Sequence, residues 1–324
     1  MATSAWVGNR GTIPCASCFD PANDAALIQK AMKGIGTDEK TLIDIIANRS
    51  NAQRQVIAGQ YKMAAGKDLR EALKAELSGH LEDIIVALVT PPAVYDAEQL
   101  NKAMQGAGTD EKTLIEILAS RNNKQMREVA QAYYKIYNKS LESDISADTS
   151  GDFQKALLVL ADNKRNESPI VDAHLGKSDA QILYEAGEKK WGTDEDKFTE
   201  ILCLSSLPQL KHTFTEYQKL SGKSIEDSIR REMSGDYEDL LLAIVKCVKS
   251  IPAFFAEKLR GALKGAGTDE RTLNRILVSR SELDLLDIRA EYKKLYGHSL
   301  YSAIQSDTSG DYRTALLKIC GGND

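Results

Sequence analysis

One short string recurs four times along the chain, and this repeat constrains the fold more than any other feature. Its copies start at Gly34, Gly106, Lys190 and Gly265, and all contain Gly-Thr-Asp-Glu. The copies lie roughly 75 residues apart, and the apolar and glycine positions behind them keep one register. The sequence therefore predicts four structural units of about 70 residues that bury a common core.

Each unit has the pattern of short amphipathic helices. Counted from the threonine of the string, apolar residues follow five, eight and nine positions later, which is the spacing of one buried helix face. No clear strand alternation occurs. The sequence predicts an all-α fold with about five helices per unit. We expect Thr37 to be the N-cap of a helix whose positive end Asp38 and Glu39 stabilise.

Variation in length between the strings defines the segments of the chain. We expect an N-terminal arm at 1–20 and repeats at 21–90, 91–165, 166–249 and 250–324. The charged stretch 162–179 predicts a linker, so that repeat 3 begins within it. One simple arrangement joins repeats 1 and 2, and repeats 3 and 4, as two pairs.

Composition excludes several classes. The net charge of −5 over 324 residues argues against a nucleic-acid-binding protein, which would carry a basic face. No apolar run approaches the ~20 residues of a spanning helix, and the first ten residues lack the apolar core of a secretion signal. Five cysteines indicate a reducing, cytoplasmic location. Cys15 and Cys18 form a lone CxxC, either a redox or metal pair or, as we favour, no site.

The repeated loop has the chemistry of a hard-cation site. Glycines let backbone carbonyls converge, and the carbonyls of Met32, Gly34 and Gly36 with a bidentate Glu76 would supply five of the six to eight oxygens that Ca²⁺ prefers. The alternative is a plain capping turn. However, the acid 39 residues after each threonine lies just before a Ser-Gly pair, with one residue between, near a predicted helix C-terminus. The helix dipole disfavours an acid there by about 0.3–1 kcal/mol, which a bound cation explains.

The residue at the tip of each loop is apolar. These residues are Ile35, Ala107, Trp191 and Ala266. One such residue could be exposed by chance, but four at the same position predict a tip that contacts a bilayer interface, a zone that suits tryptophan. With one carboxylate per loop, Ca²⁺ would bind weakly and keep positions open for a phosphate oxygen of an anionic phospholipid.

The four strings with their later acids resemble the annexins, over about residues 20–324. The resemblance implies four five-helix repeats in a slightly curved disc, with Ca²⁺ loops on its convex face that dock reversibly on phosphatidylserine-rich membranes. Repeat 3 departs from the pattern, because a lysine replaces the first glycine. The implied ligands are Met32, Gly34, Gly36 and Glu76 in repeat 1; Met104, Gly106, Gly108 and Asp148 in repeat 2; Gly187, Glu188, Lys190, Gly192 and Glu232 in repeat 3; and Leu263, Gly265, Gly267 and Asp307 in repeat 4.

The resemblance also implies a polar central channel. The alternative, which we favour, is a buried structural network of ion pairs. Where three repeats have arginine, at positions 49, 121 and 280, repeat 3 has Ser205. The residues that match the channel are Asp96, Glu116, Arg121, Arg275 and Arg280.

The function implied is Ca²⁺-dependent binding to anionic phospholipid, with phospholipase A2 inhibition, anticoagulant action and membrane organisation as consequences of covering the lipid. The rival classes are an enzyme acting on lipid or phosphate esters and a passive Ca²⁺ buffer. No G-x-S-x-G, P-loop or H-E-x-x-H motif occurs. Lateral self-assembly on membranes and a partner for the arm stay open.

Overall fold

The structure is a computed structural model that describes residues 8–189, 192–265 and 267–323. Along these residues the backbone forms twenty α-helices and no strand, which confirms the all-α fold with five helices per repeat. The helices are α1 Pro21–Ala31, α2 Glu39–Ile46, α3 Asn51–Ala65, α4 Leu69–Glu76, α5 Gly79–Val89, α6 Pro92–Ala103, α7 Glu111–Ser120, α8 Asn123–Tyr137, α9 Leu141–Asp148, α10 Gly151–Ala161, α11 Ala173–Ala186, α12 Glu195–Leu204, α13 Leu207–Ser221, α14 Ile225–Glu232, α15 Gly235–Lys249, α16 Ile251–Leu263, α17 Glu270–Arg280, α18 Leu285–Tyr296, α19 Leu300–Asp307 and α20 Gly310–Cys320.

Polar caps and glycines set the ends of these short helices. A capping box begins α3: the Ser50 side chain accepts from the Gln53 backbone N–H, and the Gln53 side chain accepts from the Ser50 N–H. Asn122 and Gln125 repeat this box at α8. Gly66 ends α3 in the left-handed conformation, with φ 67°. Such caps satisfy terminal backbone groups that helices of 8 to 15 residues would otherwise leave open.

The apolar positions predicted to share one helix face are buried. Leu42, Leu114, Phe198 and Leu273 have no exposed surface. Burying a side chain of this size contributes about 1.5–3 kcal/mol relative to leaving it in water. The repeat therefore keeps its register because each unit places the same positions in its core.

The helices gather into two compact units, which we describe separately. The first contains the described residues of 1–95 and 255–324, and the second contains residues of 96–254. Within the first, α5 packs against α17 and α20; within the second, α15 packs against α7 and α10. The units thus combine repeats 1 and 4, and repeats 2 and 3, so the expected pairing 1–2 and 3–4 is wrong. Adjacency along the chain does not determine which apolar faces meet.

The structure adds detail to the predicted linker and to the N-terminal arm. Helix α11 begins at Ala173, so the predicted linker 162–179 is irregular only in its first part. The described part of the N-terminal arm is attached to repeat 4: the Arg10 N–H donates to the Leu283 carbonyl at 3.0 Å, and Thr12 Oγ1 donates to the Ile319 carbonyl at 2.6 Å.

Among the described residues, no helix combines the length and the apolar character that crossing a bilayer would require.

Candidate metal centres

The glycines of the repeated loop adopt backbone conformations that other residues rarely reach. In repeats 1, 2 and 4 both glycines of the string have φ between 89° and 141°. No heavy atom lies within 4 Å of a Cβ built on any of them, so it is the backbone angle and not crowding that requires glycine. The loops expose these glycines to solvent. In repeat 3, Gly192 has φ 84°, whereas Gly187 is buried with φ −113°.

One backbone hydrogen bond closes each loop. The N–H of the aspartate after the threonine donates to an alanine carbonyl at the end of the preceding helix. These bonds run from Asp38 to Ala31 at 2.9 Å, from Asp110 to Ala103 at 2.8 Å, from Asp194 to Ala186 at 2.8 Å and from Asp269 to Ala262 at 2.9 Å. The loop of repeat 3 encloses one residue more than the others. Its ligand pattern therefore cannot be copied position by position from the other repeats.

The acid 39 residues after each threonine is the last residue of a helix. Glu76, Asp148, Glu232 and Asp307 end α4, α9, α14 and α19. This confirms the expected placement at a helix C-terminus, where the dipole disfavours a carboxylate. The next helix starts three residues later at a glycine with φ between 62° and 66°. The sharp turn leaves the carboxylate at the helix end, beside the loop.

The threonine hydroxyl joins the loop to this acid in all four repeats. Thr109 Oγ1 donates to Asp148 Oδ2 at 2.6 Å, and the corresponding distance is 3.4 Å in repeats 1, 3 and 4. The expectation that Thr37 caps its helix is wrong, because the N-cap is Asp38, whose carboxylate accepts from the Thr41 N–H at 3.0 Å. The contact with the acid was not predicted, although the presence of the threonine in all four strings could have indicated it.

The donor set fits a hard divalent cation. Each loop offers exposed backbone beside a single carboxylate, and oxygen-only sites of this kind suit Ca²⁺. Among the described residues, no three His, Cys, Asp or Glu side chains cluster in the way that a metal held by side chains alone would need. The predicted site does not need such a cluster, since carbonyl oxygens supply most of its ligands.

Within the second unit, the acids of repeats 2 and 3 open onto one cleft. Asp148 and Glu232 line a space of about 390 Å³, together with four more carboxylates, those of Glu111, Asp152, Glu195 and Asp236. Lys155 lies beside it, 3.2 Å from Asp152 and 3.1 Å from Asp196. A concentration of negative charge of this kind attracts cations to the loops of both repeats.

In repeat 3, the side chain of Glu188 forms ion pairs that fix the loop to α14 and to the turn before it. Glu188 accepts hydrogen bonds from Lys223 Nζ and Arg231 Nη2, both at 2.8 Å, and from Ser228 Oγ at 3.1 Å. Burial opposes the charged form, but the hydrogen bonds from Lys223 and Ser228 and the charge of Arg231 lower the pKa of this carboxyl. The Glu188 side chain therefore holds the loop in place, and only its backbone carbonyl stays available for the predicted ligand role.

The structure describes two of the four predicted loop tips. Ile35 is fully exposed, and Ala107 is exposed as well. A single exposed apolar residue is common on protein surfaces, so the predicted membrane contact depends on the shared position of the four tips. Trp191 and Ala266, predicted to be the other two tips, and Lys190, a predicted ligand, lie outside the described residues.

The residues assigned to a polar channel are buried and divide between the two units. Arg121 holds Asp96 with two hydrogen bonds, at 2.7 and 2.9 Å, and Glu116 is fully buried. In the other unit, Arg280 holds Asp284 with two bonds of 2.7 Å, and Arg275 is 3% exposed. The geometry of Arg121 and Arg280 agrees with structural ion pairs, and a channel stays a prediction.

Fold and loops together define an all-α protein of four homologous repeats, each with an exposed glycine loop and an acid beside it. The annexin family model matches residues 23–88, 95–160, 178–244 and 254–319, one segment in each repeat. The chain therefore belongs to the annexin family, whose members are known for Ca²⁺-dependent phospholipid binding.

Relatives and solved structures support this assignment along the whole chain. Annexin A3 of Homo sapiens is 66% identical over 321 residues, 99% of each chain. A solved structure of annexin III, also 66% identical, covers 99% of this chain and 100% of its own, with a TM-score of 0.97. The structure of calcium-bound annexin (Sm)1 is 34% identical, covers 98% of this chain and 94% of its own, and has a TM-score of 0.87.

Proposed function

We propose that this protein binds anionic, phosphatidylserine-like membranes reversibly, through Ca²⁺ ions that bridge its loops to lipid phosphate. In repeats 1, 2 and 4, the carbonyls of the residues at the first loop position and of the two glycines would bind the ion together with the acid. These sets are Met32, Gly34, Gly36 and Glu76; Met104, Gly106, Gly108 and Asp148; and Leu263, Gly265, Gly267 and Asp307.

The observation that carries the proposal is the contact between loop and acid, 39 residues apart, in every repeat. A capping turn alone gives no reason for a carboxylate to end the neighbouring helix, since that position costs about 0.3–1 kcal/mol against the dipole. The threonine hydroxyl holds the carboxylate beside the glycines. A cation between them offsets the unfavourable charge and leaves positions open for phosphate.

Repeat 3 would use a modified set. Its acid, Glu232, is 18% exposed and lies 3.4 Å from Thr193 Oγ1. The remaining oxygens would come from the backbone of Gly187, Glu188, Lys190 and Gly192. Because the loop is one residue longer and Glu188 is anchored by its side chain, we expect this site to have its own Ca²⁺ affinity.

Weak sites acting on one membrane would give firm docking. A single carboxylate per loop implies low affinity for Ca²⁺ alone, and linking several such contacts raises the overall affinity by orders of magnitude. The net charge of −5 repels the protein from anionic lipid when Ca²⁺ is absent. The protein would therefore be cytoplasmic at low Ca²⁺ and peripheral on membranes when Ca²⁺ rises. Inhibition of phospholipase A2, anticoagulant action and membrane organisation would follow from covering the lipid.

The test is co-sedimentation with vesicles, with and without phosphatidylserine, across a Ca²⁺ titration. The variant combines Glu76→Gln, Asp148→Asn and Asp307→Asn. Its control combines Glu71→Gln, Asp227→Asn and Asp311→Asn, which change charge equally on helices outside the loops. We expect pelleting to need both Ca²⁺ and phosphatidylserine, and the Ca²⁺ midpoint to rise at least about tenfold in the variant but not in the control.

The same titration separates the rival functions. A passive Ca²⁺ buffer would bind Ca²⁺ equally well with and without vesicles and would stay in the supernatant. An enzyme acting on lipid or phosphate esters would release product from the vesicles over time. Pelleting without Ca²⁺, or a variant that behaves like its control, would mean that the four acids are structural.

A further inference from the structure

Two repeats hold an arginine against an aspartate that lies on their first helix. In repeat 1, Arg49 donates to both carboxylate oxygens of Asp24, at 2.7 and 3.0 Å. In repeat 2, Arg121 does the same to Asp96, at 2.7 and 2.9 Å. Both aspartates are at most 6% exposed, so the arginine neutralises a charge that has been removed from water.

Repeat 3 keeps the aspartate and lacks the arginine. Asp179 precedes Ala180, as Asp24 precedes Ala25 and Asp96 precedes Ala97. The additional residue of the repeat 3 loop lies after it, and Ser205 follows α12 at the position where Arg121 follows α7. Asp179 is thus the structural counterpart of the two paired aspartates.

Repeat 4 shows how such a loss can be compensated. There the aspartate is absent, since Phe255 precedes Ala256, and Arg280 is the group left without its usual partner. It donates instead to Asp284 and lies over the Phe255 ring, 4.7 Å from the centroid. Repeat 4 therefore supplies a new acid, whereas among the described residues of repeat 3 no cation pairs with Asp179.

Asp179 is buried without a partner for its charge. It is 7% exposed, and among the described residues no hydrogen bond or ion pair reaches its carboxylate. Burial, and then the charge of Glu200, raise its pKa. Nearby cations have other partners: Arg165 donates to the carbonyls of Leu202 and Ser205, and Lys197 Nζ donates to Glu200 at 3.3 Å.

The carboxylate faces an open cavity at the place of the missing side chain. Asp179 and Ser205 line the same space of about 450 Å³, which lies entirely within the second unit. Asp172 and Glu200 add two further carboxylates to the lining, and Ile201 and Leu204 add apolar surface. An acidic wall beside apolar surface matches a side chain with a cationic head and an apolar stem.

We propose that this cavity binds a guanidinium group supplied from outside the chain, which pairs with Asp179 as Arg121 pairs with Asp96. A planar guanidinium can donate two parallel hydrogen bonds to one carboxylate, which an ammonium group does not match. The ligand is either a free guanidinium compound or an arginine side chain of a partner protein. This site is independent of the Ca²⁺ loops and goes beyond the proposed membrane function.

The test is isothermal titration calorimetry of the full chain with N-acetyl-arginine amide, in buffer with EDTA so that no Ca²⁺ contributes. We expect saturable binding at one site and at least tenfold weaker binding of N-acetyl-lysine amide. Asp179→Asn and Ser205→Arg should each abolish binding, the second because its own side chain fills the cavity. Ser205→Ala, which keeps the cavity, and Asp227→Asn, which removes an exposed carboxylate elsewhere, should bind like the wild type.

Two further measurements complete the experiment: the thermal midpoint of Ser205→Arg and the affinity of the wild type for an arginine-containing peptide. Ser205→Arg should raise the thermal midpoint, since it restores the ion pair. A peptide with one arginine that binds tighter than the amide would assign the site to a protein partner, and equal affinity would assign it to a free compound. Binding that survives both Asp179→Asn and Ser205→Arg, or no saturable heat up to about 50 mM ligand, would overturn the proposal.

Discussion

Repeats 2 and 3 lie in one compact unit and share a helical plan, yet they are stabilised differently. Repeat 2 has two left-handed glycines in its loop and a buried pair between Asp96 and Arg121. Repeat 3 has a longer loop, an anchored Glu188 and an aspartate at position 179 without its arginine. Both nevertheless keep the threonine hydroxyl beside the terminal acid of the neighbouring helix.

The comparison distinguishes the contact that both loops keep from the features that one repeat can lack. The contact between threonine and acid is present even where the glycine pattern and the arginine are not. We infer that this contact serves the proposed metal site, whereas the buried ion pair is one of several ways to support the helices. Single substitutions in the two repeats test this difference.

The largest effect on stability should come from replacing Arg121 of repeat 2 with serine, the residue that repeat 3 has at this position. In Arg121→Ser, Asp96 would stay buried without its cation, and breaking a buried pair from one side costs about 3–5 kcal/mol. Urea unfolding should show this loss. The double variant Arg121→Ser with Asp96→Asn should recover part of it, because the remaining group is then neutral. A single variant as stable as the wild type would show that the pair is dispensable.

Asp179→Asn should stabilise the protein, in contrast to any change at Asp96. The pKa of Asp179 is raised, so its carboxylate destabilises the folded state fully above the folded pKa and not at all below the unfolded pKa of about 3.9. We expect a gain in the free energy of unfolding at pH 7 that shrinks as the pH falls through the folded pKa. Urea unfolding of the wild type and the variant across this pH range measures the gain, and a gain that stays constant would contradict the account.

Loop glycines should be less tolerant of substitution than helix glycines. Gly108→Ala places a side chain at φ 100° and should cost about 1–2 kcal/mol, with weaker Ca²⁺ binding by the same loop. Gly59→Ala, within α3, is its control and should be neutral or stabilising, since nothing lies within 4 Å of the added Cβ. Thermal unfolding and Ca²⁺ titration together measure both effects. Equal stability and equal Ca²⁺ affinity in the two variants would contradict the claim that the backbone angle of the loop requires glycine.

The smallest effects should come from the threonines. Thr109→Val removes a 2.6 Å hydrogen bond to Asp148 and should cost about 1 kcal/mol. Thr193→Val removes only a 3.4 Å contact with Glu232 and should cost less. Both should raise the Ca²⁺ concentration that half-saturates their own loop. If neither variant changes Ca²⁺ binding, the threonine serves the fold alone.

The all-α fold with five helices per repeat could be predicted, because the same apolar positions recur in all four repeats. Positions such as Leu42 and Phe198 recur at helical spacing, and the same burial in each unit maintains that spacing. The pairing of repeats could not be predicted in this way. Which apolar faces meet depends on side-chain shape across helices distant in sequence, and adjacency along the chain was misleading.

The position of the acid at a helix end could be predicted from the sequence, whereas the residue that caps the helix after the loop could not. The acid at the helix end followed from its position before glycine, whereas the N-cap was assigned to Thr37 when it is Asp38. Two neighbouring residues can both cap a helix, and only backbone angles decide between them. The anchor at Glu188 involves Lys223 and Arg231, whose proximity no local pattern indicates.

The central claim is that the loop carbonyls and the acid of one repeat bind the same Ca²⁺ ion. A crystal structure of the protein grown with Ca²⁺ tests it most directly. The account predicts an ion in repeat 2 at about 2.3–2.6 Å from the Gly106 and Gly108 carbonyls and from Asp148, with open positions held by water. Ions that bind elsewhere while Asp148 stays bonded only to Thr109 would contradict it.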